Sequence, residues 1–304
     1  AFADVISGKY SPAGRLAQTW YKSEYELAPI ECYNIIENDM TYLYYRGKPL
    51  YPFGYGLSYA KFEYSDFDVK ENGDVISVSL DVTNVSETDS DEVVQIYFRM
   101  ENPSVKRPLR QLVAFARERI EGGRTRHFEF DIKKSELRFY DVSRERFAVE
   151  QGRYTFMAGA SSEDIRLTKT IDVSGEIIPP RELCKGVKAK NYDGKCGAKM
   201  KYSKKLEQHY MLGGGLIYNN CVLGEADSIE IVCGSRVNTG KITVRYGGET
   251  LCEAEVKPTV DVTEFETVTA QFDKAVLAGI DREKPAVFEL WVPEQIYILG
   301  FRTY

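Results

Sequence analysis

Ile76-Ser77-Val78-Ser79-Leu80-Asp81-Val82-Thr83 alternates apolar and polar side chains without a break. Successive side chains on a strand point to opposite faces, so this period of two predicts a strand with one face in a core. The scheme returns where Val94, Ile96 and Phe98 alternate with Gln95, Tyr97 and Arg99. It returns again where Phe128, Phe130 and Ile132 alternate with His127, Glu129 and Asp131, and in Tyr154, Phe156 and Ala158. Asn72-Gly73-Asp74, Glu121-Gly122-Gly123 and Glu150-Gln151-Gly152 supply turns between these runs. Short alternating strands between such turns predict an antiparallel β-sandwich over residues 61–175.

Downstream, Ile177-Ile178-Pro179-Pro180 reads as a linker, because paired prolines favour extended backbone. Alternation resumes at Ile229, Ile231 and Cys233 and at Ile242, Val244 and Tyr246, and two closing strands are expected at 287–292 and 296–301. Gly213-Gly214-Gly215, Asn238-Thr239-Gly240 and Tyr246-Gly247-Gly248 read as turns. A jelly-roll β-sandwich is therefore expected over 176–304.

Upstream, the pattern is of another kind. Residues 1–6 read as the end of a helix stopped by Gly8, followed by a turn cluster at Ser11-Pro12-Ala13-Gly14 and a short strand from Leu16 to Tyr21. Lys48-Pro49-Leu50-Tyr51-Pro52-Phe53-Gly54-Tyr55-Gly56-Leu57-Ser58-Tyr59 packs two glycines among prolines and rings, and Tyr42, Tyr44 and Tyr45 precede it. Proline removes an amide donor and glycine opens positive φ, so this is a contorted loop with an apolar centre of its own. Residues 1–60 have too few elements to bury Trp20, Leu16 and these tyrosines, and must pack on something else.

The chain has 304 residues, 43% hydrophobic and 28% charged, which is ordinary globular material sufficient for two or three domains. A net charge of -6 argues against a nucleic-acid reader. No run of about 20 apolar residues is present, so no helical membrane span is expected. The sequence begins at Ala1, without Met or a charged-then-apolar leader, so a cut or processed chain is expected, and the missing leader says nothing about compartment. Six cysteines (Cys32, Cys184, Cys196, Cys221, Cys233, Cys252) form no CxxC pair, and His127 and His209 are the only histidines, which argues against zinc. Free, mostly buried thiols in a reducing compartment such as the cytoplasm are the first expectation, and a disulfide framework the alternative. Asn84-Val85-Ser86 matches a glycosylation sequon by pattern alone.

Several blocks in order resemble glycoside hydrolase family 3, the retaining β-glucosidases and β-xylosidases. They are 3–16, the Thr41–Tyr45 run, the 52–59 loop, Asp91-Glu92-Val93-Val94-Gln95-Ile96-Tyr97, 108–115, Gly152-Arg153-Tyr154 and 159–165. Glu121-Gly122-Gly123 stands where that family usually has Pro-Gly-Glu. The resemblance implies the end of an α/β sandwich domain at 1–60 and a fibronectin III-like domain at 61–175. Beyond Pro180, residues 188–194, 264–268 and 295–301 resemble family 6 carbohydrate-binding modules. Lys188 and Lys190 replace the two glutamates that open such modules. A hard cation wants oxygen ligands, so no metal and no cofactor is expected. The whole is thus expected to be mainly β: a fibronectin III-like sandwich plus a jelly-roll sandwich, preceded by a short α/β remnant.

A retaining glycosidase needs two carboxylates about 5–5.5 Å apart. In the resembled family both lie on parts without a counterpart here, and no spacing among the 46 Asp and Glu picks out a pair. His127 sits on the polar phase of its strand and is expected to be exposed and inert, as is His209. Sugar binding would instead use aromatic planes with nearby amides. Tyr218 with Asn219 and Asn220, plus Phe265 and Gln295, are the candidates; Trp291 lies in an apolar run and reads as core. Phe265 and Gln295 stand where the resembled module has its ligand-side Trp and Asn. Gly213-Gly214-Gly215 lacks the Lys-Ser/Thr of a phosphate loop. The 51–59 loop either rims an active-site pocket or fixes a domain junction. The resulting expectation is a non-catalytic C-terminal portion of a retaining β-glycosidase, with the parent's catalytic barrel and a carbohydrate as partners. A free-standing carbohydrate-binding protein and a structural arm that builds a homo-oligomer are the alternatives.

Overall fold

The computed structural model describes residues 2–30, 32, 34–259 and 264–304. It falls into two compact units, one of Ala1–Phe139 with Phe147–Ile177, the other of Tyr140–Arg146 with Ile178–Tyr304.

The first unit opens with α1 (Phe2–Ile6) and α2 (Thr41–Tyr44), joined by loops and one 3-10 turn. Gly8, at φ +76, accepts the chain reversal after α1. The strand expected from Leu16 to Tyr21 does not form. Leu16 and Trp20 do exchange backbone hydrogen bonds with Gly54, Tyr55 and Tyr51, yet only Trp20 and Tyr51 make a bridge. The partner segment explains this: Pro52 offers no N–H, and Gly54 turns to φ +81, so no ladder can run past them.

The sandwich follows. β1 (Phe62–Asn72), β2 (Val75–Asn84) and β5 (Thr125–Lys133) form one antiparallel sheet. β3 (Ser90–Met100) and β4 (Gln111–Ile120) join β8 (Gly152–Gly159) and β9 (Ile165–Val173) in the other. The short hairpin β6 (Phe139–Asp141) and β7 (Arg146–Ala148) lies between them in sequence. Ile76, Val78, Leu80 and Val82 are buried, as the alternation in β2 predicts, and face Val94, Ile96, Phe98 and Phe156 in one core. β3 departs from the scheme. Its "polar" phase is buried too, with Gln95 and Tyr97 3% and 0% exposed, and its apolar phase carries a buried acid, Glu92, 2% exposed. Asn84 is buried as well, and its amide donates to the carbonyls of Thr88 and Ile120, so the sequon side chain is spent inside the fold.

The second unit is a β-sandwich built on two long strands, β14 (Gln208–Val222) and β19 (Ala286–Thr303), paired antiparallel with register shifts. β14 also takes β10 (Arg181–Glu182), β12 (Gly194–Cys196) and β13 (Lys199–Ser203). β11 (Val187–Lys188), β15 (Ser228–Ser235) and β16 (Gly240–Tyr246) line β19. β17 (Glu249–Val256) pairs with β16, β18 (Glu266–Gln271) with β15, and α3 (Lys274–Gly279) follows. Leu216, Tyr218, Ile231, Val244, Phe288 and Phe301 share its core. Gly247 and Gly248 make the expected β16–β17 turn, both at positive φ.

Gly213-Gly214-Gly215 is not a turn but an irregularity inside β14, where the register shifts between Leu212 and Gly214. A Cβ on Gly214 would lie 2.2 Å from the Ala198 nitrogen, and one on Gly215 2.9 Å from the Trp291 ring. Three glycines in a row therefore mark a bulged strand pressed between neighbours, and β14 continues through it to Tyr218 without reversing.

Candidate functional site

In the first unit the aromatic-glycine loop closes over the outer face of β3. Phe53 stacks on Tyr42 with centroids 4.1 Å apart, and Tyr42 meets Tyr97 edge-on at 6.2 Å. Gln95 donates to the carbonyls of Gly54 and Ala160 at 3.2 and 2.6 Å, and accepts from the Tyr97 hydroxyl at 2.5 Å. Gly54 is obligatory here: a Cβ would stand 2.0 Å from the Gln95 oxygen. Gly56 is pressed equally hard, 2.2 Å from the Gly14 carbonyl. Beside them the Glu92 carboxylate accepts from Arg15 at 3.0 Å and from the Tyr64 hydroxyl at 2.8 Å. Ser11, Ser58 and Ser90 link their hydroxyls in a third polar contact. A buried polar group is costly unless hydrogen-bonded, so these contacts fix the loop in one position rather than merely cover the sheet. Sequence reading missed Arg15, Glu92 and Gln95; the signal was a polar residue on each side of a strand too apolar to face water.

The buried carboxylates are all held by structural partners. Glu92 pairs with Arg15. Glu150 accepts from the Ser104 amide, with Arg107 at 3.8 Å. Asp141 accepts from Ser143 and Arg144. Burial pushes the Glu92 carboxyl above its ordinary value, against the pull of Tyr64 and Arg15. His127 is exposed and pairs with Asp81 at 2.5 Å, which raises its pKa.

The second unit scatters the five sugar-binding candidates. Tyr218 is fully buried. Its hydroxyl donates to the Ala189 carbonyl at 2.9 Å, and its ring packs against Phe288 and Phe301. It offers no plane to a sugar, because the glycine run before it is strand and sets the ring on the core side. Asn219 is exposed, with its backbone amide bound to Asp193 at 2.7 Å. Asn220 sits at φ +53 in the β14 irregularity before Cys221. Phe265 lies far away along the sheet, edge-on to Tyr210 at 6.1 Å and Tyr297 at 5.1 Å. Gln295 is partly buried near that same end, since Ser235 pairs with Ile296 and Cys233 with Glu266. Tyr210 and Asn220 are ten residues apart on β14, roughly 30 Å at strand rise, so Asn219 and Asn220 form no site with Phe265 and Gln295. Trp291, expected in the core, instead covers Gly215 on the outer face, 37% exposed.

A cavity of about 270 Å³ in this unit is lined by Arg144, Glu145, Arg181, Lys185, Lys188 and Asn191. Its charges are matched in pairs: Lys188 with Glu145 at 2.8 Å, Lys185 with Glu182 at 2.9 Å, Arg181 with Asp193 at 3.3 Å and Arg144 with Asp141 at 2.5 Å. Lys188, at one of the two expected glutamate positions, thus places an ammonium on a carboxylate. No cluster of three or more metal-ligating side chains occurs among the described residues. The thiols divide: Cys32, Cys184 and Cys196 are exposed, Cys221 and Cys233 buried and Cys252 partly so. The expectation of mostly buried thiols fails for half of them, because Cys184 and Cys196 sit on short surface elements rather than core strands.

Family-level matches fall almost wholly within the first unit. Residues 1–59 match the glycosyl hydrolase family 3 C-terminal domain, and residues 92–162 the fibronectin type III-like domain. Thermostable beta-glucosidase B of Acetivibrio thermocellus is 34% identical over 193 residues, 58% of this chain and 25% of that protein. A xylan 1,4-beta-xylosidase of Xylanibacter ruminicola is 35% identical over 172 residues, 56% of this chain and 19% of that protein. The crystal structure of a Bifidobacterium adolescentis GH3 beta-glucosidase superposes with a TM-score of 0.55 at 30% identity, over 59% of this chain and 28% of that one. The chain thus spans about a quarter or less of the length of these curated relatives. It carries glycosyl hydrolase family 3 C-terminal domain sequence at 1–59 and a fibronectin type III-like domain at 92–162, and is related through them to β-glucosidases and β-xylosidases.

Proposed function

We propose that this chain is a non-catalytic C-terminal portion of a retaining β-glucosidase or β-xylosidase, organised as 1–60, 61–175 and 176–304. In that reading the first segment docks on the parent's catalytic domains and the last, which resembles family 6 carbohydrate-binding modules, grips a saccharide. One observation carries the docking. Of the 24 large hydrophobic side chains exposed among the described residues, 13 lie between Phe2 and Tyr59. Phe2, Tyr25 and Ile30 are 80%, 92% and 89% exposed. Apolar surface so concentrated marks a face that another protein surface covers. The fixed position of the 52–59 loop on β3 supports a junction role for it. Phe265, Gln295 and Tyr210 remain the residues for a saccharide contact; Tyr218 is not among them.

The experiment is an assay with nitrophenyl β-glucoside and nitrophenyl β-xyloside. The chain alone gives no turnover, and co-expression with the barrel-bearing remainder of its reading frame restores it. Turnover by the chain alone, abolished by one carboxylate substitution within 1–304, overturns the proposal. A stable homodimer that buries Tyr25 and Ile30 and ignores the co-expressed barrel favours the structural-arm reading instead.

A further inference from the structure

Residues 185–205 hold eight lysines against a single acid, Asp193, a local excess of +7 in a chain whose net charge is -6. Part of this charge is spent, since Lys185 and Lys188 pair with Glu182 and Glu145. Lys190 and Lys195 lie off the β13–β14 ribbon, and Lys199, Lys201, Lys204 and Lys205 lie on it, with Glu207 in its turn. β13 is an edge strand that pairs only with β14, and Lys199, Met200, Lys201 and Tyr202 are all exposed. The ammonium groups of Lys199, Lys201 and Lys204 make no ion pair or hydrogen bond among the described residues. Tyr202 is 53% exposed and lies across the ribbon from His209, ring centroids 5.0 Å apart.

One or two lysines suffice to protect a sheet edge from pairing with another chain. That role explains neither the excess nor the rings. Lys199 and Lys201 share a face at about 7 Å along the strand, a like-charge crowding that is unfavourable unless an anion relieves it. By the alternation of β13 the exposed Tyr202–His209 pair stands on the opposite face of the ribbon from Lys199 and Lys201, with Lys204 two residues beyond Tyr202, so positive charge and a flat apolar plane flank the two sides of one edge strand. A polymer of carboxylate-bearing pyranoses laid over that edge matches both: the C–H face of one sugar stacks on the ring, and carboxylates along the polymer meet the ammonium groups.

We infer that the β13–β14 ribbon binds an acidic polysaccharide, one with uronate residues, through Lys199, Lys201, Lys204 and Tyr202. This rests on the reading that 176–304 binds carbohydrate and names the class it takes.

The test is affinity electrophoresis of the full chain in gels containing polygalacturonate, glucuronoxylan, unsubstituted xylan or single-stranded DNA. Two variants are compared with the parent protein, Lys199→Glu/Lys201→Glu/Lys204→Glu and Tyr202→Ala; all four positions are exposed, and circular dichroism checks that the fold is kept. The expected result is retardation by the two acidic polysaccharides that weakens with salt, falls at least tenfold in the charge-reversed variant and falls severalfold in Tyr202→Ala. Retardation by unsubstituted xylan that neither variant changes overturns the inference and leaves carbohydrate binding standing. No retardation by any polysaccharide overturns both. Retardation by DNA equal to that by polygalacturonate, with Tyr202→Ala silent, overturns it in favour of unspecific polyanion binding.

Discussion

Glu92 concentrates the chemistry of the loop on β3 in one side chain. It is 2% exposed, held by Arg15 and Tyr64, and burial still pushes its carboxyl above the ordinary glutamate value of 4.5. Desolvation therefore outweighs the two partners, a common balance for buried ion pairs. A raised folded-state pKa means the native protein keeps a proton that the unfolded chain has lost. The stability so gained is complete below about pH 4.5 and is lost as pH rises through the folded value. Urea midpoints measured from pH 4 upward should fall in that window for the parent protein. Glu92→Gln, which cannot titrate, should lack that component; a fall of the same size in the variant would refute the assignment.

Strands, read one at a time, carried most of the fold and misplaced most of the site. β2 behaves as its alternation says because one of its faces meets water. β3 does not, because a distant loop supplies a second buried face; the apolar run at 93–98 signals that both faces are covered but not by which segment. β14 misled in the opposite direction. Its three glycines look like a hairpin tip, yet they are mid-strand where Ala198, Glu294 and Trp291 press close. That one misreading put Tyr218 on a loop, whereas it lies in the core. Tyr218→Phe should then cost about 1–2 kcal/mol in urea unfolding, the loss of a buried hydrogen bond that leaves the Ala189 carbonyl unpaired. Calorimetric titration with any saccharide the chain binds should be unchanged. Lost affinity with undiminished stability would return Tyr218 to a binding role.

Across the whole chain, the six thiols provide a test that samples both units. Cys32, Cys184 and Cys196 are exposed, whereas burial pushes Cys221 and Cys233 up to about 12 and Cys252 to about 11. Thiolate, not thiol, is the nucleophile. A thiol-specific chromogenic reagent at neutral pH should count three fast groups in the native protein and six after unfolding; fewer than six in the denatured chain would reveal a disulfide. The mainly β class and the long strands of 61–175 were legible in the sequence, since period-two alternation depends only on neighbours along the chain. The ordered motifs made the relationship to glycosyl hydrolase family 3 legible too. Tertiary structure alone decided which rings are plane and which are core, that Glu92 and Gln95 lie under a loop some 40 to 80 residues away, and that the expected saccharide residues sit at two ends of one sheet. Burial and juxtaposition arise from elements distant in sequence, and a one-dimensional pattern holds no record of which of them will meet.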